Sequence, residues 1–368
     1  MPISTINTNS IADDAVTVPK VTDQVLTHRN LIINGAMQVN QRNTSTTGTS
    51  AFNTDRFKQE YSGGTCTFSW ETLSTGSPYD AGFRKFSRLT NTATASATSN
   101  YRQFRYTVEA QDVETSGWVY TDPNSYITIS FWVRSSIAGK YTFTVQTTDG
   151  TAQNYNYSRT LVADTWTKVT ETVPGHANLQ IDNDNGAGLF IHFRAWLGSN
   201  YTSATSEDAW VTYTASTISE SGIANWAGTT NATFDLTGVQ LEVGETATPF
   251  EHRSYGDELA RCQRYYQKHG NETSAYRYLA AGYCNSTSQM QGVLTLPVTM
   301  RAAPTASVSG NFQILTGSAN AAITLNTKQI NESSIGLEGS GSGFVANSGA
   351  IIRGSNDATA QLKLDAEL

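Results

Sequence analysis

Tyr126-Ile-Thr-Ile-Ser-Phe-Trp-Val-Arg134 and Leu189-Phe-Ile-His-Phe-Arg-Ala-Trp-Leu197 alternate side chains residue by residue. That is the period of a strand with one face buried. In the first stretch Ile127, Ile129, Phe131 and Val133 make the core side; in the second it is Leu189, Ile191, Phe193, Ala195 and Leu197. Strand-like runs recur at 61–73, 101–110, 125–135, 140–148, 166–173, 188–197, 208–214 and 231–243. They are short and separated by Gly, Asp, Asn and Ser, with no long helical pattern between them. This predicts an all-β sandwich or barrel, not alternating strands and helices. All seven tryptophans, Trp70 to Trp226, fall inside this region.

The rest of the composition agrees. Of the 368 residues 38% are hydrophobic, 10% aromatic and only 15% charged, well below the charged share of an ordinary soluble protein. Ser and Thr make up about a quarter of the chain. Twenty-four basic against 31 acidic residues give a net charge of −7, with no run of either sign. A nucleic-acid partner calls for a basic stripe, and none is visible. No window of 18 apolar residues exists, so the sequence predicts no helical membrane insertion. The opening Met1-Pro-Ile-Ser-Thr-Ile-Asn-Thr-Asn-Ser10 lacks the basic and apolar blocks of a secretory signal. Cys66, Cys262 and Cys284 are odd in number and widely spaced, which argues against a disulfide framework. Together these features predict a protein made in a cytoplasm.

Four pieces follow one another along the chain. Residues 1–29 are polar, with apolar residues every few positions and too few to bury a core, as expected of a segment that packs on other copies or a larger body. Residues 30–253 hold the strand series. A helix is predicted over about 254–269, with Ser254 as N-cap, Asp257 at capping-box spacing, and Gly270 closing the end. Leu259, Cys262 and Tyr266 share its apolar face, and Cys262 reads as a buried thiol. Residues 271–368 return to strands, at 275–283, 289–297, 322–327 and 361–364, with no tryptophan and much Gly, Ser, Asn and Ala. So thin an apolar content predicts a core completed by identical neighbours.

Catalytic signatures are missing. The sequence has no phosphate loop, no HExxH, no CxxC and no GxSxG, and His28, His176, His192, His252 and His269 are scattered. Glycosidase chemistry needs only two carboxylates. Glu109, Asp112, Glu114, Asp182 and Asp184 are candidates, and turn or loop roles account for them. Asp182-Asn-Asp-Asn-Gly186 echoes a calcium loop without its closing glutamate, so no cofactor is predicted. The polar faces of the two opening strands are more specific. One carries Tyr126, Thr128, Ser130, Trp132 and Arg134; the other carries Phe190, His192, Arg194 and Trp196. Aromatic rings among hydrogen-bond donors suit a sugar, with Trp132 and Trp196 to stack and Arg134, His192 and Arg194 to bond hydroxyls or a carboxylated sugar. The same residues suit a subunit contact, or a face covered by a second layer.

Several stretches carry a resemblance. They are Asn30-Leu-Ile-Ile-Asn-Gly-Ala-Met-Gln-Val39, Thr54-Asp-Arg-Phe57, and Gly238-Val-Gln-Leu-Glu-Val-Gly244 running into Thr248-Pro-Phe-Glu-His-Arg253. Arg261-Cys-Gln-Arg-Tyr-Tyr266 and Leu296-Pro-Val-Thr-Met-Arg-Ala-Ala-Pro304 complete the set. In this order they resemble the tail-fibre and related virion proteins of tailed bacteriophages, over most of residues 30–305. The resemblance implies a jelly-roll sandwich similar to carbohydrate-binding modules at 30–253, with 238–244 as its closing strand in register with the domain's start. It implies a homotrimer, joined to other virion proteins through 1–29, with residues 271–368 as a receptor-binding tip or trimerisation domain. Adhesion to a host surface polysaccharide or receptor, without enzymatic activity, is the expected role. A glycan-cleaving depolymerase is the alternative, and a head-fibre or baseplate connector a further one.

Overall fold

The computed structural model describes residues 29–42, 45–46, 48–204, 207–270, 274–316 and 320–368. Nearly all of the expected 1–29 attachment segment therefore lies outside the described residues. Two antiparallel sheets form the larger part. One runs Ser45–Thr46, Thr65–Thr72, Lys85–Ala93, Thr233–Val243, Tyr126–Ser135, Thr167–Pro174. The other runs Trp210–Thr212, Gln153–Leu161, Gly139–Thr147, Ala187–Leu197, Tyr101–Glu109, Phe57–Tyr61, Ser50–Thr54. Strands neighbouring in a sheet are mostly not neighbours in sequence, because the chain crosses repeatedly between the two layers. The expected all-β sandwich is what forms.

Alternation drives the packing. Phe131 of the first sheet meets Phe143 and Phe193 of the second edge-on, each with ring centroids 4.9 Å apart. Phe234 also reaches across the layers, tilted against Tyr141 at 5.6 Å and stacked on Phe104 at 6.3 Å. The inward side chains of both sheets join one buried cluster. The start of the sandwich lies against its last long strand: Leu31 N donates to Leu241 O and Val239 N to Gly35 O, both at 2.9 Å. Gly35 is required there, since a Cβ would stand 2.0 Å from the Val239 carbonyl oxygen.

The helix is shorter than its sequence pattern predicts. It spans Tyr255–Gln263, and Ser254 Oγ accepts the Asp257 amide as the capping reading expected. The chain then turns, and Tyr266–Gly270 is a strand between sequence partners far away: it pairs with Gln361–Asp365, which pairs in turn with Thr305–Ser309. Sheet pairing and burial of Tyr265, Tyr266 and Gln267 outweigh the last helical turn. Beyond it a closed barrel has the order Tyr278–Cys284, Gln289–Thr295, Ser334–Gly341, Asn320–Ile330, Phe312–Leu315, Gly349–Gly354. Its interior holds Met290, Ile314, Ile335, Leu337 and Ile352, each fully or almost fully buried. Together with their neighbours these residues form a buried core within the chain. Barrel closure removes sheet edges, so a few apolar residues suffice.

Charged side chains fasten the C-terminal part to the sandwich. Arg264 grips Glu109 with two bonds, at 3.1 and 2.9 Å. Arg42 reaches Asp365 at 2.9 Å and Glu367 at 3.1 Å. Arg56, 2% exposed, pairs with Glu367, bonds the Thr107 carbonyl at 2.7 Å and stacks over Tyr265 at 3.3 Å. Removing one partner of a buried pair strands the other's charge. Glu367→Gln is therefore expected to lower unfolding free energy by about 3 kcal/mol in a urea titration. Arg56→Met combined with Glu367→Leu recovers most of that loss, and a null effect of Glu367→Gln removes the pair from the joint's stability.

Candidate functional site

The two strands that carry the predicted aromatic and cationic residues lie in different sheets, so their polar faces point away from each other on opposite sides of the sandwich. This corrects the expectation of one shared face. Alternation tells inside from outside within a strand and carries no information on which layer the strand joins.

On the outer side of the first sheet, Trp132 is half-buried against a second apolar cluster containing Phe83, Phe86, Trp166 and Phe250. Arg134 and Arg88 both clamp the buried Asp235, with bonds of 2.7–2.9 Å. Arg134 also stacks on Trp166 at 4.7 Å. Tyr126 lies further along, half-buried, paired across to Pro174. Trp132 and Arg134 are thus committed to packing and an ion pair.

The outer side of the second sheet differs. Its register stacks polar rows. Asn154, Gln146, Phe190 and Thr107 form one, and Asn156, Thr144, His192, Arg105 and Lys58 the next. Arg194 stands opposite Gln103, which faces Glu60. A bulge between Arg194 and Trp196 then turns Trp196 inward, where it joins the core instead of the face predicted for it. Phe190 remains half-buried, with the Arg105 guanidinium 4.5 Å from its ring centre. Gln146, Arg105 and Lys58 are also partly exposed. Residues 213–220 cross one end, where Asn156 donates to Thr217 O at 3.2 Å and Lys140 pairs with Glu220 at 2.9 Å.

Several polar atoms on this face have no partner. Both amide atoms of Asn154, 1% exposed, are unbonded, as are His192 Nδ1, Arg105 Nε and Arg194 Nε. Each such atom costs about 1–3 kcal/mol when buried. Burial holds the His192 imidazole well below its ordinary value of 6.5, and Arg194 and Arg105 add repulsion, so it is neutral at pH 7. Its Nε2 contacts Gln146 Oε1 at 3.0 Å, which leaves Nδ1 as an acceptor. Burial also pulls the Arg194 guanidinium down to about 9. The face offers donors and acceptors around a ring. Its carboxylate Glu60 is held by Lys58 at 3.1 Å and Arg105 at 3.4 Å.

Of the other acids read from sequence, Glu109 and Asp184 are taken up by structural bonds. Glu109 is pushed up by burial but held below its usual range overall by hydrogen bonds from Arg264 and Tyr265. Asp184 Oδ1 accepts the Gly186 amide at 2.8 Å in a turn. Among the described residues no group of three or more His, Cys, Asp or Glu is placed to hold a metal ion. Sequence reading missed Gln103, Arg105, Gln146, Asn154 and Asn156. The first three lie on strands it had located, so the same alternation places them on this face.

No protein-family model matches the chain, and no curated protein does. Among solved structures, the enzymatically active domain of bacteriophage CBA120 tailspike protein 4 is 11% identical over 58% of this chain and 21% of its own, with a TM-score of 0.32. A CBM4 structure is 14% identical over 57% of this chain and 98% of its own, TM-score 0.28. The CBM22-1–GH10 modules of Clostridium thermocellum xylanase 10B are 10% identical over 58% and 30%, TM-score 0.27. These likenesses are partial, and the fold assignment rests on the strand order and the core.

The buried imidazole has a consequence for pH. Below about 6.5 the unfolded chain binds a proton that native His192 refuses, so the stability present above that value is lost as pH falls through it. His269 is lowered in the same direction by burial and Arg277. Thermal melts between pH 7.5 and 5 are expected to show Tm falling with pH in the native protein, and His192→Gln to flatten the slope. Parallel slopes would mean that His192 titrates normally.

Proposed function

We propose that this chain binds glycans on the outer face of its seven-stranded sheet, as a non-enzymatic, trimeric component of a phage virion that adheres to a host surface polysaccharide. One observation carries the binding reading: unbonded, buried polar atoms of Asn154, His192, Arg105 and Arg194 share the outer face with the half-buried Phe190. Aromatic stacking on the apolar side of a sugar ring, with amides and an imidazole for its hydroxyls, satisfies that arrangement. The virion setting and the trimer rest on the ordered resemblance of residues 30–305. Three weak sites on one trimer would hold a repeating polymer by avidity.

Titration of the full chain against a panel of neutral and acidic oligosaccharides is expected to yield at least one ligand. Phe190→Ala and Asn154→Ala each then weaken binding about tenfold or more, with near-UV circular dichroism unchanged. Binding that survives both substitutions moves the site elsewhere. Incubation with a bound polysaccharide is expected to release no new reducing ends; their appearance would make the depolymerase the better account. Light scattering is expected to give three times the 39.9 kDa chain mass, and a monomer refutes the trimer.

A further inference from the structure

Resting on that glycan-binding reading, we infer that the sugar recognised is acidic, a uronic acid whose carboxylate is drawn to the Arg105–Arg194 side of the Phe190 face. The charge count at the site motivates this. Lys58, Arg105 and Arg194 face one carboxylate, Glu60, which already serves the first two. His192 between them is neutral and adds none. Arg194 is 3% exposed, and among the described residues no Asp or Glu forms an ion pair with it. Its contact is a hydrogen bond to the Thr144 hydroxyl. The chain itself closes over this side chain, with Lys140, Thr142 and Ile223 beside it.

A buried guanidinium without a counter-charge is costly to keep. Other buried arginines of this chain are satisfied in two ways: Arg56 has Glu367 and Arg42 has Asp365 and Glu367, while Arg102 bonds the carbonyls of Ser62, Gly63 and Tyr101. Arg194 has neither arrangement among the described residues: its bond is to the Thr144 hydroxyl, with no carboxylate and no carbonyl, and its Nε edge, which can pair side-on with a planar carboxylate, is unbonded as it is in Arg42 and Arg56. The nearby acids are spent elsewhere. Glu220 pairs with Lys140, and Glu207 accepts from Ser158. A carboxylate laid over Phe190 gains Arg105 directly and the field of Arg194 through a low-dielectric layer.

The test titrates the full chain with oligosaccharides of glucuronic, galacturonic and mannuronic acid, and with the same oligosaccharides after their carboxyls are reduced to alcohols. The expected result is binding of at least one acidic set, about tenfold or more tighter than its reduced counterpart, and weakening as salt rises. Arg105→Gln and Arg194→Gln then lose that preference. Arg194→Gln is further expected to raise the Tm of the ligand-free protein, because it removes a buried unpaired charge. Equal binding of acidic and reduced sugars overturns the acidic assignment and leaves the glycan reading standing. Binding of neither overturns both. A lower Tm for Arg194→Gln makes Arg194 a structural residue and refutes its role here, whatever the affinities.

Discussion

Arg56 is sealed from water at the place where sandwich, helix and C-terminal sheet meet, and its charge has one carboxylate partner there, Glu367, the second residue from the end of the chain. The guanidinium lies flat on Tyr265, next to the helix, and bonds the Thr107 carbonyl of the sandwich. Arg42 repeats the arrangement one step outward, stacked 3.7 Å from the Tyr266 ring centre and paired with Asp365 and Glu367. Two planar cations between tyrosines and carboxylates fix distance and angle together, because their hydrogen bonds are directional and their charges are desolvated. The position of the barrel on the sandwich follows from this joint. Apolar contact there is small: Ile33, Val39, Cys262 and Tyr265 form a cluster of their own.

The stretches 30–39, 238–253, 261–266 and 296–304 converge on this joint. Asn34 donates to Val39 O at 2.8 Å and to Asp55 O at 3.0 Å. Its own amide donates to Glu258 of the helix. Gln240 accepts the Glu251 amide at 2.8 Å, and Arg301 N donates to Arg264 O at 2.9 Å. These stretches close the sandwich and hand the chain on to the C-terminal part. The polar face built on Phe190 lies outside them. Side chains on the outer sheet can therefore change without disturbing the joint.

Strands that place a dense apolar row inward, such as Tyr126–Ser135 and Ala187–Leu197, were legible from alternation to within a residue or two. Lys85–Ala93, Gln153–Leu161 and Ser334–Gly341 escaped because their inward rows mix Ser, Asn, Gly or Tyr with the aliphatics. The helix start was legible because its cap is local; its end was not, because Tyr266–Gly270 pairs with residues almost a hundred positions away. The candidate face was half legible. Phe190, His192 and Arg194 do point outward, but a single bulge reverses Trp196, and strand pairing puts Trp132 and Arg134 on the far side. Register and layer are decided by long-range pairing, which one strand's pattern does not contain.

The two outer faces show what separates a structural polar surface from one suited to a ligand. On the first sheet Asp235 is fully buried, yet both its oxygens are bonded by Arg88 and Arg134, and the aromatic rings beside them pack on one another. On the second, Asn154 keeps neither bond of its amide and Arg194 keeps its charge without a carboxylate. Both faces carry arginine and aromatic residues, so composition does not tell them apart. The difference is one of degree: among the described residues the first face leaves the Trp166 indole nitrogen unbonded, and the second leaves both atoms of the Asn154 amide, His192 Nδ1 and the Nε of Arg105 and Arg194. A face left open in that respect destabilises the free protein, and the same unbonded atoms favour any molecule that brings the missing partners.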